Sequence, residues 1–229
     1  MGKIKDNNLK LIDRDKLYSS DEAVKLLMSC EKVKFDQSID VAINLGVDPR
    51  HADQLVRGTV ALPAGTGKEV KILVITQGDS IDKAIEAGAD YAGSDEYLEK
   101  IKSGWADIDV IIATPDMMPE LGKLGKILGP KKLMPNPKSG TVTNDVAKAV
   151  KELKGGKIEF RVDKFGIIHT GIGKMSFGAD KVMDNLNAFM AEILKAKPNS
   201  LKGVYVKKIT ISSSMGPGIK IDKNSFTKN

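Results

Sequence analysis

The middle third of the chain alternates short apolar runs with segments of helical periodicity, and this pattern constrains the fold more than any other feature. Runs such as VKILVIT and DVIIAT are rich in β-branched residues, as buried strands are. Between them, apolar side chains recur at helical spacing. The predicted strands are Val70–Thr76, Asp90–Ala92 and Asp109–Thr114, and the predicted helices are Ser80–Ala87, Asp95–Lys102 and Thr143–Leu153. Strand-helix alternation of this kind predicts a small, mostly parallel α/β sheet.

The two flanks show a different pattern, in which apolar and polar residues alternate one by one. Residues 39–45 alternate in this way, which is typical of a half-buried strand. Residues 158–162 repeat the pattern, and Asp163–Gly166 has the composition of a turn that leads into Ile167–Thr170. The second flank is therefore predicted to open with a hairpin.

The rest of the second flank predicts one long helix and one strand. Apolar residues from Val182 to Leu194 follow one helical face, and Pro198 stops the helix. Val204–Ser212 is predicted as the last strand of the chain. Its apolar phase slips between Val206 and Ile209, which indicates a bulge or burial on both faces.

Sheet elements on both flanks, with a complete α/β unit between them, indicate an inserted domain. Glycine-rich segments at Pro63–Gly67 and Lys154–Gly156 mark its two crossings, and the first is predicted to act as a hinge. We therefore predict an α/β protein of two domains. Residues 1–66 plus 158–229 form a discontinuous α+β sheet domain, and residues 67–157 form an inserted parallel α/β domain.

The charges divide between the domains in the same way. Residues 68–157 carry 14 basic and 14 acidic side chains, so the net charge of +6 belongs entirely to the flanking residues. A polyanion is therefore expected to bind first to the outer domain. Aromatic residues make up only 5% of the chain, which argues against a protein that stacks a base at every step along a single strand.

Two glycine-rich motifs resemble nucleotide-binding loops but lack the residues that such loops need. Gly65-Thr66-Gly67-Lys68 has Leu62 in place of the first P-loop glycine and Glu69 in place of the Mg²⁺-binding hydroxyl. Gly171–Ser176 lacks the third glycine of the dinucleotide fingerprint and does not open a βαβ unit. We therefore expect no cofactor.

Catalytic and metal sites are not expected either. His51 and His169 lie in different segments, with no carboxylate signature around them. Cys30 is the only cysteine, which excludes a disulfide within the chain and a thiolate metal cluster and fits a reducing compartment. The polar start of the chain predicts no secretory signal, and the apolar runs are too short to span a bilayer.

Residues 122–142 form the most unusual segment of the chain. It contains five lysines and no acid, among four glycines and three prolines. Pro135-Asn136-Pro137 predicts a rigidly kinked loop in place of regular structure. Such a loop can present ammonium and backbone N–H groups to phosphates, although a solvated loop with incidental lysines is equally compatible with the pattern.

A second candidate contact follows the last predicted strand, at Ser212–Gly218. Its small hydroxyls and glycines allow the backbone to lie close to an RNA sugar-phosphate edge, and Met215 could cover a ribose or a base. The alternative is that the segment is only a frayed exit from the strand.

These segments carry a resemblance to the family of the large-subunit ribosomal protein L1, which forms the mobile stalk beside the exit site. Gly125–Lys138 resembles the family signature, with Lys132 at a position where the family often has glycine. The resemblance runs in order over roughly residues 9–222. It also includes Phe35-Asp36, Gly46–Arg50, Val56–Thr59, Thr114–Met118, Gly173–Phe177 and Ser214–Gly216.

The resemblance implies that the inserted domain is Rossmann-like and that the outer domain is the main binder of ribosomal RNA. The RNA-binding residues that it implies are Lys34, Phe35, Ser38, Arg57, Lys164, His169, Lys174, Ser176, Phe177, Ser214, Met215 and Gly216. Lys126, Lys131, Lys132 and Lys138 are expected to make a secondary contact with RNA or tRNA.

The resemblance also implies a set of partners and a location. The protein is expected to be cytoplasmic, in the large ribosomal subunit, and a monomer when free of the ribosome. Its implied partners are large-subunit ribosomal RNA, the departing deacylated tRNA and the messenger RNA of its own operon, whose translation it would repress. No membrane partner is implied.

Two other classes of function are compatible with parts of the pattern. One is an enzyme with a Rossmann-like nucleotide domain, which both incomplete glycine motifs and the lack of an acid/base pair argue against. The other is a free-standing RNA-binding regulator outside the ribosome, which sedimentation with large subunits would distinguish.

Overall fold

A computed structural model describes residues 7–31, 33–78, 80–131 and 133–226. The chain forms two compact units. The outer unit comprises the described residues up to Gly67 and from Gly156 onward, and the inserted unit comprises Lys68–Gly155. Lys157 thereby belongs to the outer unit, which raises that unit's net charge from +6 to +7.

A four-stranded antiparallel sheet forms the frame of the outer unit. Its strands are β1 (Ser38–Leu45), β7 (Ile167–Lys174), β8 (Val206–Ser213) and β9 (Ile219–Ile221), in the spatial order β7-β1-β8-β9. The apolar residues of β1 face the core, where Ile39 and Ile43 are fully buried. The alternation at residues 39–45 therefore predicted this strand correctly.

Two helices cover the buried face of this sheet. Helix α1 (Ser20–Ser29) begins with a capping box, in which Ser19 Oγ accepts from the backbone N–H of Glu22 and the Glu22 carboxylate accepts from that of Ser19. Helix α7 (Ala179–Lys195) confirms the long helix predicted from its apolar face, and it ends before Pro198 as expected. The buried Tyr205 hydroxyl donates a hydrogen bond to the carbonyl of Ile193 at 3.0 Å, and burial raises the pKa of Tyr205 to about 12.

The predicted hairpin after residue 158 is wrong, because its two strands enter different sheets. Strand β6 (Lys157–Arg161) pairs with β2 (Arg57–Ala61) in a separate two-stranded sheet, whereas β7 pairs with β1. Gly58 and Phe160 are register partners, and a Cβ on Gly58 would lie 2.9 Å from the Phe160 ring. The ring thus occupies space that a larger residue at position 58 would fill, and this contact favours the pairing of β2 with β6.

The slip in the apolar alternation between Val206 and Ile209 corresponds to a β-bulge in β8. Asn44 pairs with Lys208 and Leu45 with Val206, so Lys207 is the extra residue in β8. The prediction that β8 is the last strand is wrong, because β9 returns alongside it and pairs Ile209 with Ile221. Residues 214–218 therefore connect two paired strands and do not fray.

The inserted unit contains a three-stranded parallel sheet in the order β4-β3-β5, which confirms the α/β prediction for this segment. Its strands are β3 (Ile72–Ile75), β4 (Tyr91–Gly93) and β5 (Val110–Ala113). Its helices are α2 (Ser80–Glu86), α3 (Asp95–Lys102), α4 (Met118–Lys123), α5 (Gly125–Leu128) and α6 (Val146–Lys154). Strand β3 is buried on both sides, as the four consecutive apolar residues Ile72–Ile75 within VKILVIT predict.

The kinked loop predicted for residues 122–142 is only partly correct. Helices α4 and α5 occupy its first third, and Leu121, Leu124 and Leu128 lie in the core of the inserted unit. From residue 133 to residue 145 the chain is irregular apart from one short 3-10 turn at Pro137–Ser139 and a bridge between Val142 and Ala113. Asn136 fixes this turn, because its side chain accepts from the backbone N–H of Lys138 at 2.9 Å.

One buried polar residue joins the first crossing to the outer unit. Asn185, on α7, has no exposed surface. Its Oδ1 accepts from the backbone N–H of Ala64 at 2.9 Å, and its Nδ2 donates to the carbonyls of Gly65 at 2.9 Å and Ile172 at 2.7 Å. The amide thereby uses three of its four hydrogen-bonding positions and holds the crossing against the helix.

Within the described residues, no helix is long and apolar enough to cross a membrane.

Candidate nucleic-acid interface

One end of the four-stranded sheet brings together residues from three distant parts of the chain. Ser38 begins β1, Lys174 ends β7, and the turn from Ser214 to Gly216 follows β8. Antiparallel pairing brings these strand ends together at the same end of the sheet, with Ser38 opposite Lys174 and Ile39 opposite Ser213. We call Ser38, Lys174, Ser176, Ser214, Met215 and Gly216 the sheet-end cluster.

Hydrogen bonds hold the turn of this cluster against β1. The Ser214 hydroxyl accepts from the backbone N–H of Ser38 at 3.1 Å and donates to the Ser38 carbonyl at 3.3 Å, and the Ser214 N–H donates to the same carbonyl. The backbone N–H of Met215 donates to Gln37 Oε1 at 2.9 Å. The Met215 side chain remains 42% exposed, so it is presented to solvent on a fixed backbone.

The segment after β7 is held by the carboxylate of Asp36, which lies just before β1. Asp36 accepts from the backbone N–H of Ser176 at 3.1 Å and from its hydroxyl at 2.8 Å. Lys34 and Phe35 directly precede this residue and are exposed, Phe35 to 55%. Both are therefore placed beside the sheet-end cluster along the chain.

Phe177 packs within the outer unit instead of standing free in solvent. A Cβ on Gly67 would lie 2.8 Å from its ring, and one on Gly173 would lie 3.1 Å from it. Phe177, one of the residues implied by the resemblance, therefore packs against the backbone of Gly67 and Gly173 next to the cluster.

Arg57, Lys164 and His169 lie elsewhere, at the opposite end of β7, and we call them the turn-end group. β7 runs from Ile167 to Lys174, which is about 23 Å at roughly 3.3 Å per residue. His169 Nε2 lies 3.7 Å from Asp163 Oδ2. The structure therefore divides the predicted RNA-binding residues into two groups and does not bring them into one patch.

Asp163 organises the turn between β6 and β7. Its Oδ1 accepts from the backbone N–H groups of Phe165 and Ile167, each at 2.8 Å. Partial burial opposes ionisation, but these two hydrogen bonds and the charges of His169 and Lys164 hold the pKa of Asp163 below its ordinary value. The turn is thus fixed by a carboxylate that stays ionised, while Lys164 points its charge outward.

Three of the four lysines of the predicted secondary contact lie in the described part of the inserted unit. Lys126 is on α5, Lys131 follows it, and Lys138 is in the 3-10 turn, and all three are exposed. Lys132 lies outside the described residues.

The site residues predicted from the sequence did not include Asp36 and Gln37. Their side chains fix Ser176 and Met215 in the structure. Asp36 lies in the Phe35-Asp36 match to the family, whereas no local pattern marks Gln37, because its partner Met215 lies 178 residues away in sequence.

The cluster offers exposed hydroxyls and one exposed thioether on a fixed backbone, in a unit with a net charge of +7. Among the described residues, no group of three or more His, Cys, Asp or Glu could hold a metal ion. Hydroxyls and cations on a rigid sheet edge are suited to sugar and phosphate contacts. Such a fold and candidate site are typical of a nucleic-acid-binding protein.

Comparison with known proteins identifies the family. Residues 26–217 match the ribosomal protein L1p/L10e family. A relative named large ribosomal subunit protein uL1, from Protochlamydia amoebophila (strain UWE25), is 58% identical over 213 residues, which is 93% of this chain and 90% of that relative. The chain belongs to the ribosomal protein L1p/L10e family. It is a structural, RNA-binding ribosomal protein and not an enzyme.

Proposed function

We propose that this chain is the stalk protein of the large ribosomal subunit in the cytoplasm, where its outer unit binds ribosomal RNA and the free protein is a monomer. The observation that carries the proposal is the sheet-end cluster, in which Ser214 and Met215 are fixed to β1 yet exposed. The net charge of the outer unit supports it, because cations supply the salt-dependent part of RNA affinity.

The chemistry of the cluster favours recognition of RNA shape over base sequence. The exposed hydroxyl-bearing residues Ser176 and Ser214 and the half-buried Gly216 suit contacts to ribose 2′-hydroxyls and phosphates. A Cβ on Gly216 would lie 2.3 Å from Ser213 Oγ, so a larger residue there would force the buried Ser213 side chain to move and disturb the turn.

The outer unit alone is expected to hold ribosomal RNA. Residues 1–67 can be joined to 156–229 by a short linker, because Gly65 and Gly156 are adjacent, with a built Cβ on Gly156 only 2.5 Å from the Gly65 Cα. The shortened protein should fold, and its affinity for a stalk fragment of ribosomal RNA should lie within about threefold of that of the full-length protein. Titration should also show weak binding by residues 68–155 alone. The reverse ranking would assign the RNA to the inserted unit.

We further propose that the inserted unit contacts the departing deacylated tRNA through Lys126, Lys131, Lys132 and Lys138. These lysines lie in a unit whose acidic side chains offset its basic ones, so their field is partly cancelled. They are therefore suited to a transient contact and not to the primary grip on ribosomal RNA.

Neutralising these four lysines to glutamine should leave binding to an isolated stalk RNA nearly unchanged. The salt slope of that binding should flatten by less than about one counterion, while tRNA release from whole ribosomes should slow. Glutamine at Lys83, Lys102, Lys148 and Lys151, exposed lysines of the same unit, is the matched control. A decrease of three or four units in the salt slope of binding to the isolated RNA would mean that these lysines are the primary RNA contact.

We also propose that the same surface represses translation of the protein's own operon by binding a messenger site that resembles the ribosomal one. Competition between the stalk RNA and a fragment of that messenger for the wild-type protein tests this directly. A regulator acting outside the ribosome is the remaining alternative, and absence of the protein from sedimented large subunits would favour it.

A further inference from the structure

Phe165 is the most exposed large apolar side chain of the described residues, at 72%. It lies at the tip of the turn between β6 and β7, next to Lys164 of the turn-end group. A phenyl ring that remains largely solvated contributes little to folding, since it buries little apolar area. The fold therefore does not require an aromatic residue at this position.

The turn that carries Phe165 is rigid. The Phe165 N–H donates to Asp163 Oδ1 at 2.8 Å, and the N–H of Gly166 donates to the Asp163 carbonyl at 3.2 Å. Gly166 has φ +80°, which favours glycine, and its carbonyl accepts from the N–H of Leu45 at 2.8 Å, which ties the turn to the end of β1. The ring is thus presented from a fixed backbone, so binding through it costs little ordering entropy.

One cation lies beside the ring, and others lie on the neighbouring strand ends. The Lys164 ammonium lies 5.3 Å from the ring centroid, within the range of a cation–π contact. Arg57 and Arg161 are register partners at the adjacent ends of β2 and β6, and His169 is the third residue of β7. Asp163, in the same turn, is held by hydrogen bonds to the turn backbone and lies 3.7 Å from His169.

We propose that Phe165 stacks on an unpaired base of the RNA that the outer unit binds. An exposed aromatic ring beside lysine and arginine is the arrangement that binds single-stranded bases, with cations holding the phosphates and the ring covering the base face. This inference rests on the proposed RNA-binding function. It adds a second contact about 23 Å from the sheet-end cluster, at the far end of β7.

The test is the affinity of full-length variants for a stalk fragment of ribosomal RNA. Phe165→Leu should lose about tenfold in affinity, because it keeps an apolar side chain but removes the stacking face. Phe165→Tyr should stay within about twofold of wild type. The salt slope should be unchanged in both, since stacking releases no counterions, whereas Lys164→Gln should lower it by about one.

Two controls make the result decisive. Leu17→Ala removes another exposed apolar side chain, 58% exposed and next to the β9 edge of the sheet, and should leave affinity unchanged. Phe165→Trp should show stronger RNA-induced fluorescence quenching than the wild-type protein, whose only tryptophan is Trp105. Unchanged affinity of Phe165→Leu, or quenching no stronger than wild type, overturns the inference. If Met215→Asp also binds normally, the proposed RNA surface itself fails.

Discussion

Asn185→Leu is expected to lower the free energy of unfolding of the outer unit by about 2–4 kcal/mol. Leucine fills nearly the same volume but leaves the N–H of Ala64 and the carbonyls of Gly65 and Ile172 without their partner. Each buried polar group that loses its hydrogen bond costs about 1–3 kcal/mol, and water can reach part of the half-buried crossing. Urea unfolding followed by circular dichroism measures the loss.

Asn187→Leu is the matched control, because Asn187 is exposed on the same helix and should change stability by less than about 0.5 kcal/mol. Fluorescence of Trp105 reports separately on the inserted unit, and its transition should not move. Equal small effects of the two substitutions would mean that the crossing is held by its backbone alone.

Met215→Asp is expected to weaken binding of ribosomal RNA by about tenfold to hundredfold, or 1–3 kcal/mol. The substitution places a carboxylate where the structure presents an exposed thioether at the centre of the sheet-end cluster. Repulsion from phosphates and loss of an apolar contact act in the same direction. The melting temperature should hardly change, because the side chain is 42% exposed and the backbone hydrogen bond to Gln37 is retained.

Leu17→Asp controls for the added charge, since it places a carboxylate on an exposed apolar position of the same unit. It should weaken binding by no more than about twofold through the general field. Ser214→Ala should weaken RNA binding by about 1 kcal/mol, the contribution of one hydroxyl. In the free protein this hydroxyl bonds to the backbone of Ser38. If Met215→Asp binds as well as Leu17→Asp, the turn is only a connection between strands.

The sequence predicted those parts of the fold that local patterns control. The strands and helices of the inserted unit up to β5 lie within two residues of their predicted bounds, because each one has its own period and turn residues. The slip between Val206 and Ile209 correctly marked the bulge at Lys207. Leu121, Leu124 and Leu128 also have helical spacing, so the sequence does contain a signal for α4 and α5, although Pro135 and Pro137 exclude regular structure only further along the segment.

Strand partners could not be predicted from such patterns. Alternation in residues 158–162 shows which side chains are buried, but the choice of β2 over β7 depends on the space above Gly58 that the Phe160 ring fills. Strand β9 has only three residues, which is too short for a periodic signal. The candidate site depends on the same distant pairing, so Ser38 and Ser214 were brought together by the family resemblance and not by spacing.

The sheet order also sets when the proposed RNA-binding surface can form during synthesis. Strand β1 emerges early, yet its neighbours β7 and β8 are made only after the whole inserted unit. At roughly 5–20 residues per second, β1 waits about 6 to 25 seconds on the ribosome with both edges unpaired, until β7 has been made. The inserted unit, whose strands are contiguous in the chain, has all its partners first. A nascent chain therefore has no sheet-end cluster until β8 and its turn have left the exit tunnel.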